Sequence, residues 1–306
     1  MMKSVKISAL LLLLASMPLS AAPVSPSASA APKKLPGGWV YIWGDEFNTR
    51  SLDKKKWKPE LGVVRNHGSA QTYTDRQKNL RVENGCLVIE SHHEKFPNCN
   101  YDASKNDWIS KIKTQDYTSG SVTTHGVKEF LFGRFEFRAK IPKGKGVWPA
   151  IWTLHSNKWG WPANGEIDIL EHISQEPTRC YSIFRWGENG TAKEFKVTKT
   201  TDTPNYSNDF HTYVMEWDQD TMRILIDDKE IGKINISQAD YPNGAGNPLR
   251  TPCYLIMNTA LGGQWCEQPH PSAYPAKFLI DYVRFYQKKE HVIEGKKLDP
   301  TTGNKK

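Results

Sequence analysis

Three acidic residues fall within six positions at Glu166-Ile167-Asp168-Ile169-Leu170-Glu171. The intervening Ile and Leu make this segment read as a short buried strand. In a regular strand successive side chains alternate faces, so Glu166, Asp168 and Leu170 share one face and Glu171 takes the other. That register places Leu170 beside two acids and separates Glu171 from them. One extra residue, a β-bulge at Ile169-Leu170, returns Glu171 to the face of Glu166 and Asp168. Three carboxyls on one face repel, and repulsion holds a proton on at least one of them. A protonated acid beside an ionised nucleophile is the pair that cleaves glycosidic bonds with retention. Retaining sites hold the two about 5–5.5 Å apart. A curved sheet must therefore draw Glu166 and Glu171 together, with Asp168 between them to hydrogen-bond either. Standing alone, such an acid pattern is more often a solvated strand face.

The context shifts that balance. Gly146-Val147-Trp148-Pro149-Ala150-Ile151-Trp152 precedes the acids, followed by Trp159, Trp161 and Pro162. Sugar C–H faces stack on aromatic rings while hydroxyls need polar partners, so rings beside acids suit a carbohydrate cleft. A single Trp is more often core than platform. Trp148, Trp152, Trp161, Trp186 and Trp265 are the platform candidates. Trp186 and Trp265 carry most weight, because they follow Arg185 and the Gly262-Gly263-Gln264 loop, where glycine permits close approach to a ligand.

The elements that must position these residues are strands. Phe135-Glu136-Phe137-Arg138-Ala139-Lys140-Ile141 alternates apolar and polar and stops at Pro142. Tyr213 to Trp217 and Met222 to Ile226 flank a turn at Asp218-Gln219-Asp220, as in a hairpin. Phe278 to Tyr286 is a long closing strand. Long amphipathic helical patterns are missing. The expected fold is all-β: a jelly-roll sandwich of two curved antiparallel sheets with an open substrate cleft.

The rest of the chain bounds the setting. Lys3, Lys6, the apolar run Ile7 to Ala15 and small residues at Ser20, Ala21 and Ala22 read as a signal peptide over 1–22, predicting export to the periplasm or the medium. Residues 23–37 read as a flexible leader, 38–288 as the catalytic domain and 289–306 as a basic disordered tail. No later segment is apolar enough to span a membrane. Four Lys in residues 1–34, and six Lys against three acids in 288–306, leave the body at +1 of the net +8. Nucleic-acid binding is therefore disfavoured. The five Cys contain no CxxC pair, which argues against a zinc cluster, and their pairing stays open. His155, His172, His211 and His270 lack metal-ligand spacing and are expected to be structural or surface groups.

The segment Trp161-Pro162-Ala163-Asn164-Gly165-Glu166-Ile167-Asp168-Ile169-Leu170-Glu171 resembles the signature of glycoside hydrolase family 16, in the bulged form of its laminarinase-like branch. The likeness extends to Gly44-Asp45-Glu46-Phe47, Gly133-Arg134-Phe135-Glu136, Met257-Asn258-Thr259-Ala260-Leu261-Gly262-Gly263 and Asp281-Tyr282-Val283-Arg284-Phe285-Tyr286. It implies endo-acting, retaining hydrolysis, with Glu166 as nucleophile, Glu171 as general acid/base and Asp168 assisting. No cofactor is implied for catalysis. A structural calcium on the convex side is implied, at Asp281 and near Glu46. Where laminarinase-like members often carry His-Trp, this sequence has Arg185-Trp186. A fixed cation there suits an extra hydroxyl, an acetamido carbonyl or an anionic substituent, or it pairs with a nearby acid. The substrate expectation accordingly turns toward internal β-1,4-galactosyl links of poly-N-acetyllactosamine and mucin-type O-glycans. An endo-β-1,3-glucanase is the alternative, and a non-catalytic glycan-binding protein is the alternative of another class. The expected partner is a polysaccharide or glycan chain, met by a monomer.

Overall fold

A computed structural model describes residues 30–65, 68–188, 191–200 and 206–288. The signal peptide, most of the leader, the basic tail and Asn66-His67 lie outside the described residues. No helix among the described residues is long and apolar enough to cross a membrane.

Two sheets, almost wholly antiparallel, enclose the core. The sheet that carries the acids has seven strands. In chain order these are β1 (Lys58–Pro59), β2 (Ser121–Thr123), β3 (Val147–His155), β4 (Glu166–Glu171), β5 (Arg179–Glu188), β6 (Thr191–Thr200) and β7 (Cys253–Leu261). Their spatial order is β6-β5-β4-β3-β7-β2-β1. The opposing sheet is built on Gly133–Lys140, His211–Trp217, Thr221–Ile226, Cys86–Pro97 and Ala276–Lys288. The sandwich expected from the alternating patterns is therefore present. The 213–226 hairpin forms as read, with Trp217 opposite Met222.

The core follows from period-2 alternation. Phe135 and Phe137 point inward from one sheet; Ile151, Ile167, Phe184 and Met257 point inward from the other. The intervening residues of the second sheet then face outward together, and these form the floor of the cleft. A short pairing falls within the residues read as leader. Lys34–Leu35 already pairs with Trp39 and Val40. The turn between them uses Gly37 and Gly38 at φ of +80° and +82°, which glycine adopts without strain.

Candidate active site

The bulge is where the pattern of acids requires it. Asp168 lies opposite Ile183 and Glu171 opposite Tyr181, so three steps along β4 match two along β5. On the other side Asp168 faces Trp152 and Leu170 faces Ile151, with Ile169 skipped in the register. Ile169 and Leu170 are both fully buried in the core. The extra backbone carbonyl at Ile169 is satisfied by the Ser182 hydroxyl, which donates to it at 2.8 Å. Glu166, Asp168 and Glu171 consequently all line one open cleft. Gly165, at φ +87°, turns the chain into this strand, and a Cβ there would meet Pro248 at 3.1 Å.

The cleft floor comes from the outward-facing positions of neighbouring strands: Trp148, Ala150 and Trp152 on β3, Ile183 and Arg185 on β5, and Asn258 and Ala260 on β7. Trp161 and Trp265 add to it from loops. Each outer carboxylate has an indole partner. The Trp148 Nε1–H donates to Glu171 Oε1 at 2.9 Å, and the Trp161 Nε1–H donates to Glu166 Oε2 at 3.0 Å. Trp265 packs edge-on against Trp148 and Tyr181, with ring centroids 5.4 and 4.8 Å apart. Arg185 does both things open to it. It lines the cleft, and its Nη1 pairs with Glu166 Oε1 and lies 3.8 Å from Asp168 Oδ2. Burial pushes the Glu166 carboxyl above its ordinary value, against the Arg185 charge and the Trp161 hydrogen bond, which pull it down.

One platform assignment is corrected. Trp186 is buried in the core cluster with Phe184 and does not reach the cleft. Arg185 already faces the cleft, and the next residue on a strand must take the other face. The pairing of Arg185 with Trp186 as two cleft residues was therefore incompatible with the strand it sits on.

Other residues of the site carry no local signature. Arg65 sets its guanidinium 5.0 Å from the centroid of the Trp152 ring while pairing with Glu60. Trp152 Nε1–H donates to Asn258 Oδ1 at 2.8 Å, and Asn258 Nδ2 donates to the Tyr73 hydroxyl at 3.0 Å. Asn258 was legible in principle from its parity with the buried Met257. Arg65 sits in a segment without periodicity, and only the tertiary fold brings it to Trp152.

At the position expected for a structural calcium, the side chains of Asp281 and Glu46 are each engaged by an arginine. Arg284 holds Glu46 through Nε at 2.9 Å and Nη2 at 2.7 Å, while Arg138 Nη1 holds Asp281 at 2.6 Å. A guanidinium already neutralises each. Among the described residues no three His, Cys, Asp or Glu gather as a metal-holding group. All five cysteines are free thiols, four of them buried. His155 is buried and its Nδ1 lies 2.8 Å from the Thr251 carbonyl, with burial lowering its pKa to about 4, so it stays neutral and structural.

Acids gathered by a bulge on the outward face of a sandwich sheet, in a cleft walled by indoles, define a glycoside hydrolase. Residues 69–284 match the glycosyl hydrolases family 16, and the chain belongs to that family. A beta-glucanase of Rhodothermus marinus is 34% identical over 81% of this chain and 85% of its own length. Among solved structures, one from work on endo-acting O-glycanases, expressed by prominent members of the human gut microbiota to initiate mucin breakdown, is 58% identical. It superposes with a TM-score of 0.85 over 89% of this chain and 99% of that one. The laminarinase catalytic domain of Thermotoga maritima is 32% identical, with a TM-score of 0.69 over 82% of this chain and 98% of that one. The chain is thus an endo-acting glycosidase of the laminarinase and glucanase family.

Proposed function

We propose that the protein is an exported, retaining endo-β-glycosidase that cuts internal β-1,4-galactosyl links in mucin-type O-glycans and poly-N-acetyllactosamine. The observation that carries the reaction is the bulge, which puts Glu166, Asp168 and Glu171 on one cleft face. Glu171 gives its proton to the glycosidic oxygen as Glu166 attacks the anomeric carbon. The C–O bond to the leaving sugar breaks and a glycosyl ester forms on Glu166. Glu171, now ionised, takes a proton from water. The resulting hydroxyl attacks the same carbon, releases the sugar and restores both acids. Asp168 sits between the two and supports the charge on Glu166 as it changes. The Trp148 N–H keeps Glu171 aimed across the cleft.

The substrate reading is supported by the relative of 58% identity, from work on endo-acting O-glycanases. β-1,3-Glucan is the second reading, favoured by the 34% identity to a beta-glucanase. A purely binding role is disfavoured, because both glutamates of the pair remain in the cleft. Side-by-side digestion of mucin O-glycans, keratan-type chains and laminarin, with mass analysis of released oligosaccharides, decides between them. Release from the first two supports the galactosidase reading, and release from laminarin alone overturns it. Export is tested by locating the protein in a fractionated culture.

A further inference from the structure

Arg185 lies directly across from Glu166 in the β4/β5 ladder, both side chains facing the cleft. Its Nη1 contacts Glu166 Oε1 and reaches to 3.8 Å from Asp168 Oδ2. We propose that Arg185 is a positioning residue for the reaction: its permanent charge holds the Glu166 carboxylate ionised and turned toward the sugar, and substrate contact is secondary.

Three features support this. The first is orientation. Arg185 takes Oε1 of Glu166 and the Trp161 indole takes Oε2, so the carboxylate is fixed from both sides before any sugar arrives. Such pre-set geometry is worth more in a reacting group than in a binding group. The second is charge. Asp168 and Glu171 lie on the same strand and face as Glu166, and both disfavour a third negative charge. Burial opposes ionisation of Glu166 as well. The groups that face it from the surrounding elements are Arg185 on β5, Trp161 on the preceding loop, Tyr254 on β7 and Arg65 beyond Trp152. Arg65 is already bidentate to the half-buried Glu60, so Arg185 is the cation directly on Glu166. The third is chemistry. A guanidinium keeps its charge at every working pH, whereas an imidazole in the same place would lose it near neutrality.

This inference rests on Glu166 being the nucleophile, and the experiment separates the two. kcat and KM are measured across pH for the parent, Arg185→Lys and Arg185→Gln, on whichever polysaccharide the digestion panel identifies. In parallel, an activated 2-deoxy-2-fluoro glycoside labels the nucleophile, and peptide mass mapping locates the label. The acid limb of kcat/KM in Arg185→Gln should move upward by about one to three pH units, the span expected for a carboxylate losing an adjacent cation. The loss at neutral pH should fall on kcat, and Arg185→Lys should recover most of the limb's position. Circular dichroism and a melting curve confirm that the variants fold. The pH readout does not move for a merely structural residue. If the label lands on Glu166 while Arg185→Gln raises KM and leaves the acid limb in place, Arg185 is a substrate contact and the inference fails. If the label lands elsewhere, the nucleophile assignment fails and takes this inference with it.

Discussion

The two faces of the sandwich pair the same residue types in different ways. On the outer face, Arg223, Glu216, Arg134, Glu136, Arg284 and Glu46 form an alternating ladder. Arg223 Nε meets Glu216 at 2.7 Å, Arg134 Nη2 meets Glu136 at 2.9 Å, and Arg284 Nη2 meets Glu46 at 2.7 Å. Arg134 also binds Glu216, and Arg284 lies 3.8 Å from Glu136, which joins the links into one chain. Arg223 Nη1 also meets Glu230 at 3.2 Å, so each of these three arginines bridges two carboxylates. In the cleft, Arg185 reaches both Glu166 and Asp168, Glu171 is held by the Trp148 indole, and the second cation, Arg65, is taken by Glu60. A ladder in which every carboxylate has a guanidinium partner holds strands together. Carboxylates crowded on one face around a single guanidinium hold a proton among them, which is the condition for acid–base work. The same residue types thus give structure on one face and reactivity on the other, and the difference lies in how the charges are paired.

Removing the reactive side of that contrast gives the largest effect. Glu166→Gln keeps the volume and the cleft but deletes the anion. Turnover should fall by about 10³-fold or more, while glycan affinity measured calorimetrically stays near the parent's. Turnover within tenfold of the parent would break the distinction between the faces.

The next test sets core against cleft at neighbouring positions. Trp186→Ala removes a ring buried beside Phe184 and should cost about 3–5 kcal/mol of stability, read by chemical denaturation. An unchanged midpoint together with a raised KM would return Trp186 to the cleft. This pair of residues also marks how far the sequence could be read. The bulge was legible because buried Ile and Leu at 167, 169 and 170 left the acids only one consistent face. The face of Trp186 was equally legible from its neighbour, but the resemblance to a His-Trp pair obscured the alternation. The Arg65–Trp152 contact and the Arg284–Glu46 pair were not legible. Both join residues far apart in the chain, and no local period announces a contact made by folding. In the Arg284 pair the acid of the motif is present, but a guanidinium holds its side chain.

On the outer face, Arg284→Met should leave Glu46 without its cation and Glu136 with Arg134 alone. The side chains are mostly shielded from water, so the loss should be about 1–3 kcal/mol, lowering the melting temperature by several degrees. kcat/KM should stay within about twofold, because the outer face does not touch the cleft. Added calcium should not restore the lost stability. Recovery by calcium would show that the arginine had displaced a cation site, and the outer face would then need a different account.

The smallest effect is expected at Trp161, which is 57% exposed yet donates to Glu166. Its ring contributes little to the core, so Trp161→Ala should change stability by no more than about 0.5 kcal/mol. Its loss should reach the substrate instead, lowering kcat/KM by about five- to tenfold, as expected for one stacking ring worth roughly 1 kcal/mol. Trp161→Phe keeps the apolar face and removes the N–H. If stacking dominates, Phe restores most of the activity. If the hydrogen bond dominates, Phe behaves like Ala, and Trp161 joins Arg185 among the groups that fix Glu166 from either side.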